Sequence, residues 1–161
     1  MSDPQTNQND TRYQFITFLS GDQEFGANIM TIREIRGWTD TTLLPHAPEY
    51  VRGVINLRGV VLPVVDLKGL LGHGMTEANS KHVIIVVHAG GRTLGLLVDA
   101  VSDILTARAS DIQPTPELAR DSHSTVIDGI AVLDTRMVTL LSMEKLTASL
   151  AGAQAETAEA A

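Results

Sequence analysis

The chain has no cysteine, which removes disulfides, thiolate nucleophiles and thiolate metal sites together. Aromatic residues make up only 4% of its 161 positions, so a core must be packed with Val, Ile and Leu, and the 43% hydrophobic content supplies them. No apolar run approaches the roughly 20 residues that a membrane-spanning helix needs. The start, MSDPQTNQND, has neither the basic residues nor the apolar stretch of a signal peptide. The formal net charge is −7, with no dense Lys/Arg run. That balance argues against binding nucleic acid, or an anionic membrane surface, by charge neutralisation. The expectation is a soluble cytoplasmic protein of one domain, or of two very small ones sharing a core.

Catalytic and metal constellations are scarce too. His46, His73, His82, His88 and His123 show no ligand spacing such as a helical pair four residues apart. There is no Gly-x-Ser-x-Gly elbow and no glycine-rich phosphate loop leading into a helix. Gly72-His73-Gly74 runs into polar residues and reads as a linker, and Asp99 with Asp103 are most simply solvated or helix-terminal. No cofactor and no metal are expected. A small-molecule-binding or hydrolytic β-barrel stays open as an alternative, because active sites assemble from distant residues.

What the sequence does contain is β-forming residues punctuated by glycine. YQFITFLS (13–20) reads as a strand, GDQEFGAN as a turn into a second one, and TIREIRGW (31–38) alternates, with Ile32 and Glu34 on one face and Arg33 and Ile35 on the other. KHVIIVVHAGGRTLGLLVDAVSDIL gives two further runs around Gly90 and Gly91. Asp66 and Ser142 are candidate caps of two short helices. Residues 1–12 read as a disordered tail and 151–161 as a second tail, fraying or extending a helix.

An internal repeat organises these elements. A shift of 69 residues places Gly21 on Gly90, Gly26 on Gly95, Glu34 on Asp103 and Ile35 on Ile104. A shift of 76 places Gly53 on Gly129, Val54 on Ile130, Arg58 on Asp134 and Asp66 on Ser142. Identities are few; the shared order of turn glycines, apolar runs and a final cap is what points to duplication. Each half offers about five strands and one helix. Small sheets of this kind close into barrels that hide their edges, so the expected fold is mainly β, in two small barrels packed together. The first barrel is expected over about 13–72, the second over about 81–141, with a C-terminal helix over 142–150.

GVINLRGVVLPVVDL (53–67) is almost wholly apolar yet carries Arg58 at its centre. Gly59 supplies the positive φ of a tight turn with a bulge, which moves Arg58 to a hairpin tip. Pro63 lacks an N–H, so the returning strand is expected at a sheet edge or with a local kink. Glu34 could meet Arg58 within one barrel. A surface ion pair does little for stability, so orienting a binding surface is the better reason for such a pair.

EFGANIMTIREIRG, then LPHAPEYVRGVINLRGVVLPVVDLKGLLG, then LGLLVDAVSDIL, resemble the CheW family of chemotaxis coupling proteins, in register from about Tyr13 to Leu146. The resemblance implies two SH3-like five-stranded barrels and an adaptor, not an enzyme, linking chemoreceptor cytoplasmic tips to the regulatory domain of the histidine kinase CheA. It carries a receptor-docking role to Glu34 and Arg58, with Ile32, Gly53 and Val54 at neighbouring positions. Val98 and Ile104 are expected as apolar walls of a groove between the barrels. Further implications are recruitment from the cytoplasm to membrane-associated receptor arrays, no direct membrane binding, and a monomer when free. The alternative within the family is a CheW-like regulatory module of a larger chemosensory protein. The polar start and the Ala/Glu-rich end read as those of a complete small protein. The linker GHGMTEANSKH and the segment 107–125 read as variable loops.

Overall fold

In a computed structural model, residues 11–115 and 126–150 are described. Both expected tails, apart from Thr11 and Arg12, and the later part of the 107–125 segment lie outside them. The first half of the chain forms β1 (Arg12–Ser20), β2 (Gln23–Asn28), a 3-10 turn (Ile29–Thr31), β3 (Ile32–Gly37), β4 (Val51–Leu57), β5 (Val60–Asp66) and the one-turn helix α1 (Leu67–Leu70). The second half repeats the order with β6 (Val83–Ala89), β7 (Arg92–Val98), β8 (Ala100–Arg108), β9 (Ile112–Gln113), β10 (Ile127–Leu133) and β11 (Arg136–Leu141). A closing helix, α2, occupies 143–150. Both expected caps are in place. Asp66 Oδ1 accepts from Lys68 N at 3.1 Å, and Ser142 Oγ accepts from Lys145 N at 3.2 Å.

The strands form two sheets, as the mainly β reading requires, but the sheets do not follow the halves. Sheet A has the order β8-β1-β2-β11-β10-β9, and sheet B the order β3-β6-β7-β5-β4. Each therefore takes two leading strands from one half and the remaining strands from the other. The expected contiguous barrels, about 13–72 and about 81–141, are corrected accordingly. Connection length gives the reason. Were β3 to pair beside β1 as β8 does, it would lie parallel to β2 with β1 between them. The chain would then have to return about 20 Å along the strands. Only Ile29–Thr31 join β2 to β3, a reach of roughly 11 Å, and Asp99 alone separates β7 from β8. The chain runs straight on from one sheet into the other.

Register supports the repeat. Val64 pairs with Gly95 in sheet B as Leu140 pairs with Gly26 in sheet A, both in parallel ladders. A bulge at Gly53 has its counterpart at Gly129. Gly53 has φ 137°, and a Cβ there would lie 2.3 Å from the Thr42 carbonyl oxygen, so only glycine admits the neighbouring segment. Thr42 bridges Val54 as Gln113 of β9 pairs with Ile130.

Among the described residues, three apolar clusters form the core. The largest lies between the sheets and takes Phe18, Phe25 and Ile16 from sheet A, Ile85, Leu96 and Val65 from sheet B, and Leu67 and Leu146 from the two helices. Each sheet also encloses a smaller cluster, Leu62, Val64 and Val86 in sheet B and Phe15, Leu105 and Leu140 in sheet A. A fully buried side chain of this size contributes about 1.5–3 kcal/mol, so the shared cluster carries the largest part of the stabilisation. Asp66 is buried beside it. Its carboxylate accepts from Thr76 N at 2.7 Å and from the Thr76 hydroxyl at 2.8 Å, tying the inter-half linker to the α1 cap.

Candidate functional site

The hairpin β4–β5 turns through Arg58 (φ 52°) and Gly59 (φ 88°), both left-handed, in the two-residue turn that matches strand twist. Asn56 Oδ1 accepts from Gly59 N at 2.8 Å and braces it. The bulge expected at this tip lies instead at Gly53. The expected edge position of Pro63 is also corrected, because β5 is flanked by β4 and β7. Pro63 faces Val54, and the ladder to β7 begins one residue later, at Val64, so the missing N–H falls where that ladder ends.

Glu34 on β3 reaches the tip. Arg58 Nη2 donates to Glu34 Oε1 at 2.5 Å, with the arginine side chain 73% exposed and the glutamate 30%. That hydrogen bond is the main cause holding the Glu34 carboxyl below the usual range, and the Arg58 guanidinium is correspondingly harder to deprotonate. The sequence expectation that the two residues meet is met by this contact.

Sheet A holds a related arrangement, centred on a residue that sequence reasoning missed. Arg136 Nη2 donates to Glu24 Oε2 at 2.6 Å, to Asp103 Oδ1 at 2.7 Å and to the Thr17 hydroxyl at 3.3 Å. Asp103 is the repeat counterpart of Glu34, and its carboxyl is held low first by Arg136 and then by the Thr17 hydroxyl. The matching cation therefore sits not at Asp134, the counterpart of Arg58, but two residues later. The signal was present, since Arg136 is the one Lys or Arg within ten residues of Asp134 in the sequence.

The remaining candidates disperse. Ile32 opens β3 and is partly buried against the shared core. Gly53 is buried and acts through its backbone, and Val54 is half-buried on the outer face of β4. Val98 is 1% exposed at the end of β7. As a core residue it presents no wall to a partner, which corrects that expectation. Ile104 is 53% exposed, but it lies on sheet A. Glu34 and Arg58 are thus the pair the fold brings together, beside an open groove of about 510 Å³ lined by Val60 and Thr93, with the buried Leu62 and Val86 beneath. Among the described residues, no group of three or more His, Asp or Glu is placed to hold a metal, and no helix is long and apolar enough to cross a membrane.

The chain as a whole is similar to known proteins. The family model for the CheW-like domain matches residues 14–151. The chain is similar to chemotaxis protein CheW of Rhizobium meliloti, 52% identical over 133 residues that cover 83% of this chain and 86% of the relative. It is also similar to chemotaxis protein CheW of Klebsiella aerogenes, at 36% identity over 84% of this chain and 82% of that one. Among solved structures, the scaffolding protein TtCheW from Thermoanaerobacter tengcongensis matches with a TM-score of 0.77 and 30% identity, covering 84% of this chain and 92% of that chain.

Proposed function

The chain belongs to the CheW family, and on that premise we propose that this chemotaxis scaffold couples chemoreceptor cytoplasmic tips to the regulatory domain of the histidine kinase CheA. It does so by non-covalent contact, in the cytoplasm at membrane-associated arrays. An adaptor of this kind needs two separate surfaces, and one observation supports them. The repeat leaves matching apolar side chains exposed on both sheets, Ile35 and Val61 on sheet B and Ile104 and Met137 on sheet A. Exposed apolar groups at matched positions, with charges beside them, suit partner docking better than independent folding does. Glu34 and Arg58 mark the receptor-facing end. Their ion pair is exposed and stabilises the fold little, whereas it holds both charges in a defined register for a helical hairpin laid across them. The output is positional: a receptor bound on one surface biases a kinase held on the other, and the size of that bias is a coupling free energy between two sites.

Binding assays with a purified receptor-tip fragment and, separately, the purified kinase regulatory domain test the reading. Both are expected to bind. Glu34→Lys or Arg58→Ala is expected to weaken tip binding and receptor-dependent kinase control with unchanged thermal stability. Undiminished kinase control in either well-folded variant would refute the assignment of these two residues, and binding of neither partner would refute the adaptor reading.

A further inference from the structure

The two sheets are repeats of one another, yet the residues that match the lining of the sheet B groove are arranged differently in sheet A. The shift of 69 carries Glu34 to Asp103, Val86 to Thr17 and Thr93 to Glu24, and the shift of 76 carries Val60 to Arg136. Asp103, Thr17 and Glu24 are the three residues that Arg136 bonds. The sheet A counterpart of the groove is therefore occupied by the chain's own guanidinium, while in sheet B the shorter Val60 leaves the space open. The charges differ as well. In sheet A two carboxylates surround one arginine. The sheet B groove is lined by Arg33 and Arg58 against the single carboxylate of Glu34, so its lining carries one net positive charge.

We propose that the sheet B groove receives a carboxylate-bearing side chain of the docking partner, while Arg136 keeps its sheet A counterpart closed. The inference rests on the receptor-docking reading of this face. Arg58 commits one N–H to Glu34, and its mostly exposed guanidinium offers further donors in the fork geometry that suits a carboxylate. Glu34 is the less exposed partner and is already bonded, so the accessible charge at the mouth is positive. A partner cation would have to displace Arg58 from Glu34 and would still face Arg33. The exposed Val60 is placed to line the aliphatic stem of a glutamate above the buried Leu62, and the Thr93 hydroxyl, paired with His88 Nδ1 at 2.7 Å, lies in the same lining. The occupant that fits is an acidic side chain carried on methylenes, presented by a partner surface.

The test is an amide-shift NMR titration of the full chain with N-acetylglutamic acid amide (its side-chain carboxylate free), against N-acetylglutamine amide and N-acetyllysine amide. Saturable shifts at Arg58, Gly59 and Thr93 are expected with the glutamate probe, at least tenfold weaker with either control. Val60→Arg, at an exposed strand start, copies Arg136 and is expected to abolish them; Arg58→Ala is expected to do the same without adding bulk. Equal shifts with glutamine, or glutamate shifts that survive both variants, would overturn the proposal. Binding of the receptor-tip fragment to Val60→Arg separates the two readings. Lost tip binding without any glutamate response refutes the acidic subsite and keeps the docking face. A glutamate response abolished by Val60→Arg, with tip binding intact, keeps the subsite and refutes the receptor assignment.

Discussion

Replacing Asp66 by alanine removes the acceptor on which the cap of α1 and the inter-half linker both depend. Four donors converge on that carboxylate: Lys68 N, Gly69 N, Thr76 N and the Thr76 hydroxyl. Arg52 Nη1 stands 3.8 Å from it and donates to the Thr76 carbonyl at 2.9 Å. Losing a helix cap costs about 1 kcal/mol, and stranding a buried donor about 1–3 kcal/mol. The Thr76 hydroxyl can rotate, but its backbone N–H cannot, and Arg52 also loses its counter-charge. The cap and the stranded N–H together come to about 2–4 kcal/mol, a large share of the roughly 5–15 kcal/mol that holds a domain folded. Urea unfolding followed by tryptophan fluorescence measures it. Trp38 is the only tryptophan, and the Arg52 guanidinium lies 5.9 Å from its ring, so the reporter sits beside the perturbed network. Thr76→Val, which removes only the hydroxyl, is expected to cost about 1 kcal/mol. A loss below about 1 kcal/mol for Asp66→Ala, or one equal to that of Thr76→Val, would refute the view that this buried carboxylate organises the linker.

Two further outcomes follow from the geometry. The Glu34 carboxyl is expected to titrate below the usual glutamate range by carbon NMR and to return upward in Arg58→Ala; being depressed, the ion pair persists above that midpoint and is lost as pH falls through it. An unchanged midpoint in Arg58→Ala would show that the two side chains are not paired in solution. Fragments 1–77 and 78–161 are expected to lack cooperative β structure separately and to regain it by circular dichroism on mixing, because each sheet needs strands from both. Cooperative folding of either fragment alone would contradict the shared sheets.

Local chemistry was legible in the chain, and long-range pairing was less so. The Arg58–Gly59 turn and the caps at Asp66 and Ser142 are set by residues close in sequence, and they stand where the residue types place them. The meeting of Glu34 with Arg58 was accessible because one half of the repeat carries a turn-borne arginine and a strand-borne glutamate of opposite sign. The exchange of strands between halves was obscured by the repeat itself. β3 and β8 carry similar patterns, so β1 has two chemically similar partners, and apolar periodicity does not choose between them. The spacing between Asn28 and Ile32 does choose, through chain reach. Val98 was misjudged for a related reason: its apolar character suits a groove wall and a core equally, and only its place at the end of β7, between the sheets, decides. Arg136 escaped notice because the cation had moved by two residues from its repeat position.

The short crossings between the sheets also bear on how an adaptor can transmit a signal. Domains strung on a flexible tether let one turn without moving the other, and the tether absorbs the motion. Here the crossings from sheet A to sheet B and back are three residues and one residue long, and the sheets share one apolar cluster. Neither can serve as a slack hinge. On the adaptor reading, a push applied near Arg58 is expected to reach the Ile104 side through the shared cluster, as between the two ends of a strut, with no tether to absorb it.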